Sequence, residues 1–287
     1  MNWRLKCLAF HLLEIAPMGK NLHSILQKRV TGRYYQKLTP NELSAYSFHT
    51  ENFMSFTPSG VALEFGAGRN LLTPLLLSRA GASRIHAFDL TRLATLEQVN
   101  DVILQLRNLL PGDWPTVASL EELLPAYRIQ YHAPGDARNT GLADKSVDFV
   151  YSTSTLEHIP ATEIRQILSE CKRLLSPQGV MSFIIDYHDH FGTADRNITR
   201  WNFYRYSRRA WNKYNPSNHY QNRLRHSDHE ALFAGMDLVV DLERRTIPDW
   251  AESELLRTAI APDFARYSRQ DLLTSNGHFI LRSAAVA

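Results

Sequence analysis

Three histidines stand beside carboxylates in two short runs, Glu157-His158 and Asp186-Tyr187-His188-Asp189-His190. Imidazole titrates near neutrality, so His158, His188 and His190 are the candidate catalytic bases, able to take a proton from a hydroxyl or an amine. For His158 the plainer alternative is a structural histidine at the start of a helix. If an extended strand runs through the second group, Asp186, His188 and His190 project to one face. Two imidazoles and a carboxylate can ligate a divalent metal. A metal-free Asp–His cluster is the simpler reading of the same residues, and no metal ligand is assigned.

A second run points to a ligand. Val61–Phe65 is short, mostly apolar and preceded by the turn residues Thr57-Pro58-Ser59-Gly60, as suits a buried parallel strand. It enters Gly66-Ala67-Gly68-Arg69-Asn70 and then a helical pattern. Gly66 can take a positive φ, and Gly68 lets the main chain approach a ligand closely. Amides at the start of the following helix favour electron-rich groups. The dinucleotide fingerprint would need its third glycine where Leu71 stands, which argues against a nicotinamide cofactor.

With Glu64 two residues before Gly66, the run resembles the first motif of the class I S-adenosylmethionine-dependent methyltransferases, acid-x-Gly-x-Gly-x-Gly. Glu64, Gly66 and Gly68 match, and Asn70 replaces the third glycine. The resemblance continues through Asp89 at the end of a second strand, Gly135-Asp136-Ala137 after a third, and Ser146–Ser152 followed by Leu156-Glu157-His158. It covers residues 58–187. It implies that Asp89 accepts hydrogen bonds from ribose hydroxyls and that Asp136 lies near the adenine amino group. The implied cofactor-binding set is Glu64, Gly66, Ala67, Gly68, Asn70, Asp89, Leu90, Asp136, Ala137 and Ser152, and the implied cofactor is S-adenosylmethionine. Asp89 alone could instead cap a helix, and Asp136 could cap a turn with Arg138.

Positioning these residues requires alternating elements. Helical patterns at Leu71–Arg79, Leu93–Leu110, Glu121–Pro125 and Ala161–Leu175 separate strand patterns at 61–65, 84–89, 128–132, 147–152 and 180–186. Such alternation predicts an α/β, Rossmann-like, doubly wound and mostly parallel sheet, whose ligands sit at the carboxyl ends of the strands. Two late strands, Leu238–Glu243 and His278–Arg282, are expected to add an antiparallel edge. The domain reading is a helical extension over 1–56, a cofactor-binding core over 57–190, an inserted cap over 191–230, and strands completing the sheet over 231–287. The stretch Asp113–Leu124 is expected to extend the scaffold rather than shape a pocket. Arg33, Tyr34, Tyr35 and His49 are read as closing over the cofactor.

From Arg196 to Arg225 the chain holds eight Lys or Arg, seven aromatics and no acid. The cap is read as a structural lid, as a site for an anionic small substrate, or, more remotely, as an RNA surface. The net charge of +3 gives nucleic acid little support. Two cysteines, Cys7 and Cys171, are too few for a disulfide framework and suit a reducing compartment. No apolar stretch is long enough for a membrane span. Met1–Ala16 reads as an amphipathic helix on the domain rather than a signal peptide, and the expected location is cytoplasmic. The function read from all this is methyl transfer to a small molecule such as a sugar or a secondary metabolite. The alternatives are a cyclase or regulatory binder that keeps the S-adenosylmethionine pocket, and an oxidoreductase. The acceptor atom and oligomeric state are left open.

Overall fold

The computed structural model describes residues 2–15 and 37–284. The apolar runs pair as one seven-stranded sheet in the order β3-β2-β1-β4-β5-β7-β6. The strands are β1 (Val61–Phe65), β2 (Arg84–Phe88), β3 (Ile129–His132), β4 (Val147–Thr153), β5 (Leu175–Asp186), β6 (Leu238–Thr246) and β7 (Asn276–Ser283). The first five are mutually parallel, and β7 runs antiparallel between β5 and β6. This is the predicted doubly wound sheet with an antiparallel edge. Strand order reverses between β1 and β4, which is where such sheets open a crevice beyond their carboxyl ends.

Register brings the motifs together. Phe65 pairs with Phe88, so the glycine turn after β1 and Asp89 after β2 leave the sheet at one level. Glu64 pairs with Tyr151 and Thr153 with Ile184, so the exit of β4 lies beside the turn and β5 overshoots it by two residues to Asp186.

Helices cover both faces. Helix α1 (Trp3–Ile15) packs apart from the sheet cores, against the segment that follows β5; α2 (Pro40–Phe56), α3 (Leu72–Arg79), α4 (Leu96–Leu109) and α5 (Leu123–Tyr127) lie on one face, and α6 (Ala161–Leu174) lies on the other. Side chains alternate along β1, so Ala62 joins a core with Leu75, Val99 and Phe53, while Leu63 joins one with Leu168, Val150 and Phe183. A third core unites Trp3 and Phe10 of α1 with Phe191, Trp201, Phe203 and Trp211. Six of the seven aromatics of the basic segment thus pack inward with helix α1 and do not form an exposed stacking platform; Tyr220 stands apart at a groove.

Several boundaries differ from the sequence reading. Helix α4 starts at Leu96 rather than at position 93, because the Thr95 hydroxyl accepts from the Gln98 amide and caps it. The stretch Ser176–Gly179, which lies outside the strand pattern at 180–186, is part of β5, which pairs with β4 across a register shift. Helix α5 is displaced to 123–127, and β6 runs on to Thr246. The stretch before α5 packs on α4: Asn100 exchanges two bonds with Val117, and Arg107 donates to the Trp114 carbonyl.

Candidate active site

The glycine turn takes the conformation its residues permit. Gly66 has φ +74° and Gly68 φ +71°, the left-handed region that side chains disfavour. A Cβ on Gly66 would sit 2.3 Å from Thr155 Oγ1, so the turn and the exit of β4 are packed directly together. A Cβ on Gly68 would meet nothing closer than 4.0 Å; this glycine borders open space. Ala67 donates its amide to the Phe88 carbonyl, and Asn70 Oδ1 accepts from the Leu72 amide at the start of α3.

Two clefts flank this turn, sharing Gly66, Gly68 and Ser154. The first, of about 320 Å³, is walled by Glu64, Asn70, Thr73, Gln98 and Tyr46. Glu64 is buried, and its Oε2 has no hydrogen-bond partner among the described residues. Burial, and then the Asp89 charge, push its carboxyl well above the usual range. The second, of about 350 Å³, is walled by Asp89, Leu90, Ala137, His158 and Ile159. Both have the size of small-molecule sites. Leu90 is 63% exposed, a large apolar side chain left uncovered at the cleft. Asp89 accepts from the Gly68 amide at 3.0 Å and the Thr91 amide at 3.0 Å, and burial raises its pKa against those bonds.

The structure separates the remaining predicted residues. Asp136 and Ala137 line the second cleft, but Asp136 is bound to Arg138, whose Nη2 donates at 2.7 Å, and this lowers its pKa. Ser152 lies outside both clefts; its hydroxyl donates to the Phe65 carbonyl and ties β4 to β1. Ser154 and Thr155, which the sequence reading passed over, take the place beside the turn. The signal for them was their position immediately past the β4 terminus. Arg33, Tyr34 and Tyr35 lie outside the described residues. His49 does not close over a cleft: it is buried on the sheet between Ser182 Oγ (2.7 Å) and Thr153 Oγ1 (3.0 Å), and burial lowers its pKa to about 3. Tyr46, one turn earlier on α2, reaches the first cleft instead.

Strand β5 ends at Asp186, so the alternation expected through His190 stops there. The chain bends, and the Asp186 carboxylate serves both histidines: Oδ1 is in close contact with His188 Nδ1, and Oδ2 pairs with His190 Nε2 at 3.2 Å. Burial raises the Asp186 pKa, but the two histidines more than reverse this and leave it below the usual carboxylate range. His188 and His190 border neither cleft. His158 does, and its ring lies 4.8 Å from that of His190. Burial, then the nearby His190, lower the His158 pKa, which keeps its ring neutral at pH 7. The segment Tyr220–Asn222 pins this cluster. The Tyr220 carbonyl lies 2.7 Å from His158 Nδ1, Gln221 Nε2 donates to the His188 carbonyl, and the Asn222 amide donates to the Glu157 carbonyl.

Residues 115–183 match the family described as a methyltransferase domain. That span runs from before β3 into β5 and includes Asp136, Glu157 and His158. No curated protein matches the sequence. Among solved structures, a protein from Pyrococcus horikoshii OT3 is similar at 14% identity, over 89% of this chain and 97% of that one, with a TM-score of 0.50. A candidate sarcosine dimethylglycine methyltransferase from Galdieria sulphuraria is 16% identical over 85% and 87%, with a TM-score of 0.49. Geranyl diphosphate C-methyltransferase from Streptomyces coelicolor A3(2) is 12% identical over 84% and 76%, with a TM-score of 0.47. At these identities the likeness is one of fold.

The sheet order, the acid-glycine turn and the matched domain define the class I methyltransferase fold. Residues 115–183 carry the methyltransferase-domain match, and the two clefts suit the cofactor of that fold, S-adenosylmethionine: an orphaned carboxylate in one, an uncovered apolar wall in the other, and a bare glycine between them.

Proposed function

We propose that the protein transfers a methyl group from S-adenosylmethionine to a small-molecule acceptor. The observation that carries this is the pair of clefts joined across Gly66 and Gly68. Glu64, with its unpartnered oxygen, would hold the ammonium of the cofactor's amino-acid end in the first cleft. Asp89 would accept from the ribose hydroxyls, and Leu90, Ala137 and Ile159 would pack on the adenine in the second. When bound, the cofactor supplies an electrophilic methyl on a sulfonium.

The chain's own residues then align the acceptor and remove its proton. His158 lies on the cleft wall with Nδ1 bonded to the Tyr220 carbonyl, which leaves Nε2 as the lone pair that takes a proton. Asp186 and His190 stand behind it and stabilise the charge that develops. His188 is bound to Asp186 from the other side and fixes that carboxylate.

A negatively charged acceptor group is favoured by the adjoining groove at Tyr220, Arg208 and Arg223. Arg223 donates to the Phe203 and Tyr206 carbonyls, has no carboxylate among its hydrogen-bond partners in the described residues, and burial lowers its pKa to about 10. The inward-facing aromatics argue against nucleic acid as the acceptor. No helix among the described residues is long and apolar enough to cross a membrane.

Calorimetry with S-adenosylmethionine, S-adenosylhomocysteine and NAD tests the cofactor: one equivalent of either sulfur compound should bind and NAD should not. Methyl-labelled cofactor offered to neutral and to phosphorylated or carboxylated acceptors tests the transfer. Binding of NAD alone would overturn the reading.

A further inference from the structure

Glu157 is 3% exposed at the exit of β4, and no hydrogen bond reaches either of its carboxylate oxygens among the described residues. The backbone amides of Glu157 and Asp186 approach the carboxylate without forming an aligned bond. Buried carboxylates are normally ion-paired, hydrogen-bonded or bound to a metal. The titratable groups around this one are the Asp186 carboxylate, the Tyr187 hydroxyl and the imidazoles of His158 and His190. One ligand atom from each of Glu157, His158 and His190 lies within 4.8 Å of the others.

Both histidines are oriented from behind. His158 Nδ1 faces the Tyr220 carbonyl at 2.7 Å, and His190 Nε2 faces Asp186 Oδ2 at 3.2 Å. Each ring therefore donates from one nitrogen and presents the lone pair of the other. Metal-ligating histidines are held in the same manner, by a carbonyl or carboxylate on the far nitrogen. A second group of like composition, His226, Glu230 and Glu243, differs in the decisive respect. Arg245 donates to both of its glutamates, so its charge is answered within the chain. No arginine or lysine hydrogen-bonds the Glu157 carboxylate among the described residues.

We propose that Glu157, His158 and His190 bind a divalent transition cation, with Asp186 as the carboxylate that orients His190. Two imidazoles and one carboxylate suit Zn²⁺, Fe²⁺, Mn²⁺ or Co²⁺ better than the oxygen-seeking Ca²⁺. Closing the set onto a cation needs the widest donor pair to draw together by up to about 1.4 Å, since tetrahedral ligand bonds of ~2.0–2.2 Å put donors about 3.4 Å apart. Three protein ligands leave coordination positions free. His158 is the exposed member and lies on the wall of the second cleft, so a free position opens where an acceptor would enter. There the cation would bind an acceptor oxygen and acidify it. This use of the cation rests on the methyl-transfer reading above; its binding does not. With the cation in place the His158 lone pair is engaged, and the acidified acceptor gives up its proton to solvent water in the open cleft instead of to His158.

The full chain, stripped with a chelator and dialysed, is titrated with Co²⁺ followed by its visible ligand-field absorption, then with Zn²⁺ as competitor. One equivalent should bind, and Zn²⁺ should displace it. Glu157→Gln and His190→Ala should each weaken Co²⁺ binding at least tenfold. Glu243→Gln, which alters the other His–Glu group, should retain one equivalent. Absence of a saturable Co²⁺ site in the parent overturns the proposal, as does undiminished binding in Glu157→Gln. Should Glu157→Gln not fold, His158→Ala decides in the same way, because that side chain is exposed. S-adenosylhomocysteine calorimetry on the same samples keeps the two readings apart: a cation site without cofactor binding would sink the methyltransferase reading and leave this one standing.

Discussion

The Gly68 amide donates to Oδ2 of Asp89 at 3.0 Å, so the acid at the tip of β2 and the turn after β1 hold each other in place. Asp89 also accepts from the Thr91 amide. Replacing it therefore has two separable effects. Asp89→Asn keeps an acceptor oxygen for one of the two amides but loses the charge, whereas Asp89→Ala orphans both. Bonds to charged groups contribute about 1.5–3 kcal/mol each. Asp89→Ala should weaken S-adenosylhomocysteine by roughly 10- to 100-fold and lower the melting temperature, while Asp89→Asn should weaken binding with a smaller loss of stability. Calorimetry and thermal melts on both variants check this. Equal melting temperatures for the parent and Asp89→Ala would refute the structural half of the claim.

The two glycines of the turn should respond oppositely to alanine. At Gly66 the added methyl collides with Thr155 and φ is positive, so Gly66→Ala should cost about 2–4 kcal/mol by overpacking and backbone strain together. Thr155→Gly in the same chain should recover the part due to collision. At Gly68 only the φ strain remains, about 1 kcal/mol, but the methyl stands where the clefts meet. Urea denaturation should rank Gly66→Ala as the less stable variant, and calorimetry should rank Gly68→Ala as a weaker binder than its stability loss explains.

His49 should make stability depend on pH. Its folded pKa is about 3 against 6.5 unfolded, because burial disfavours the charged ring. Below pH 6.5 the unfolded chain takes up a proton that the folded chain refuses. The stability it contributes is thus complete above about 6.5 and is lost as pH falls toward 3, at up to about 1.4 kcal/mol per pH unit. Glu64 and Glu157, whose pKa values are raised by burial, act in the opposite sense, so the parent alone does not isolate the effect. His49→Gln does. Relative to the parent it should gain about 1 kcal/mol on moving from pH 7.5 to 5.5. A difference between the two chains that does not change with pH in urea denaturation would show that His49 is not buried as a neutral ring.

The sheet and the glycine turn were legible because period and residue type carry them. Val61–Phe65 reads as a buried strand, and only glycine suits positions 66 and 68. The acid at Asp89 was legible from its place at a strand end. Ser152, expected from the sequence as a cofactor contact, lies outside both clefts because β4 runs one residue further than its pattern shows, and Ser154 and Thr155 stand at the cleft wall. The Asp186–His190 geometry was illegible for a related reason. Side-chain alternation predicts one face only while a strand lasts, and β5 stops at Asp186. The orphaned state of Glu157 had no sequence signal at all, since a Glu-His pair at a strand exit does not reveal what surrounds it.

Arg225 gives the sharpest test of how the basic segment is held. It is fully buried, and its guanidinium donates only to backbone carbonyls among the described residues: Tyr187 at 2.6 Å, Asp271 at 2.7 Å and Thr274 at 2.6 Å. The faces of Tyr187, Tyr204 and Trp201 lie 5.1, 5.2 and 5.6 Å from its centre, and they supply what no carboxylate does. These partners come from the end of β5, from the aromatic segment and from the chain entering β7, so one side chain joins three parts of the fold. Lysine keeps the charge but not the planar fork, and it cannot reach three carbonyls from one nitrogen in the same geometry. Arg225→Lys should therefore cost about 3 kcal/mol or more. Arg225→Met removes the buried charge but leaves three carbonyls without donors, at about 1–3 kcal/mol each before relaxation. Thermal melts should show both variants well below the parent, and hydrogen exchange should quicken at the Tyr187 and Asp189 amides, which bond to Ser275 and Arg200 across the same junction. A melting temperature for Arg225→Lys equal to the parent's would mean that the aromatic core of Trp201, Phe203 and Trp211 holds this segment without the arginine.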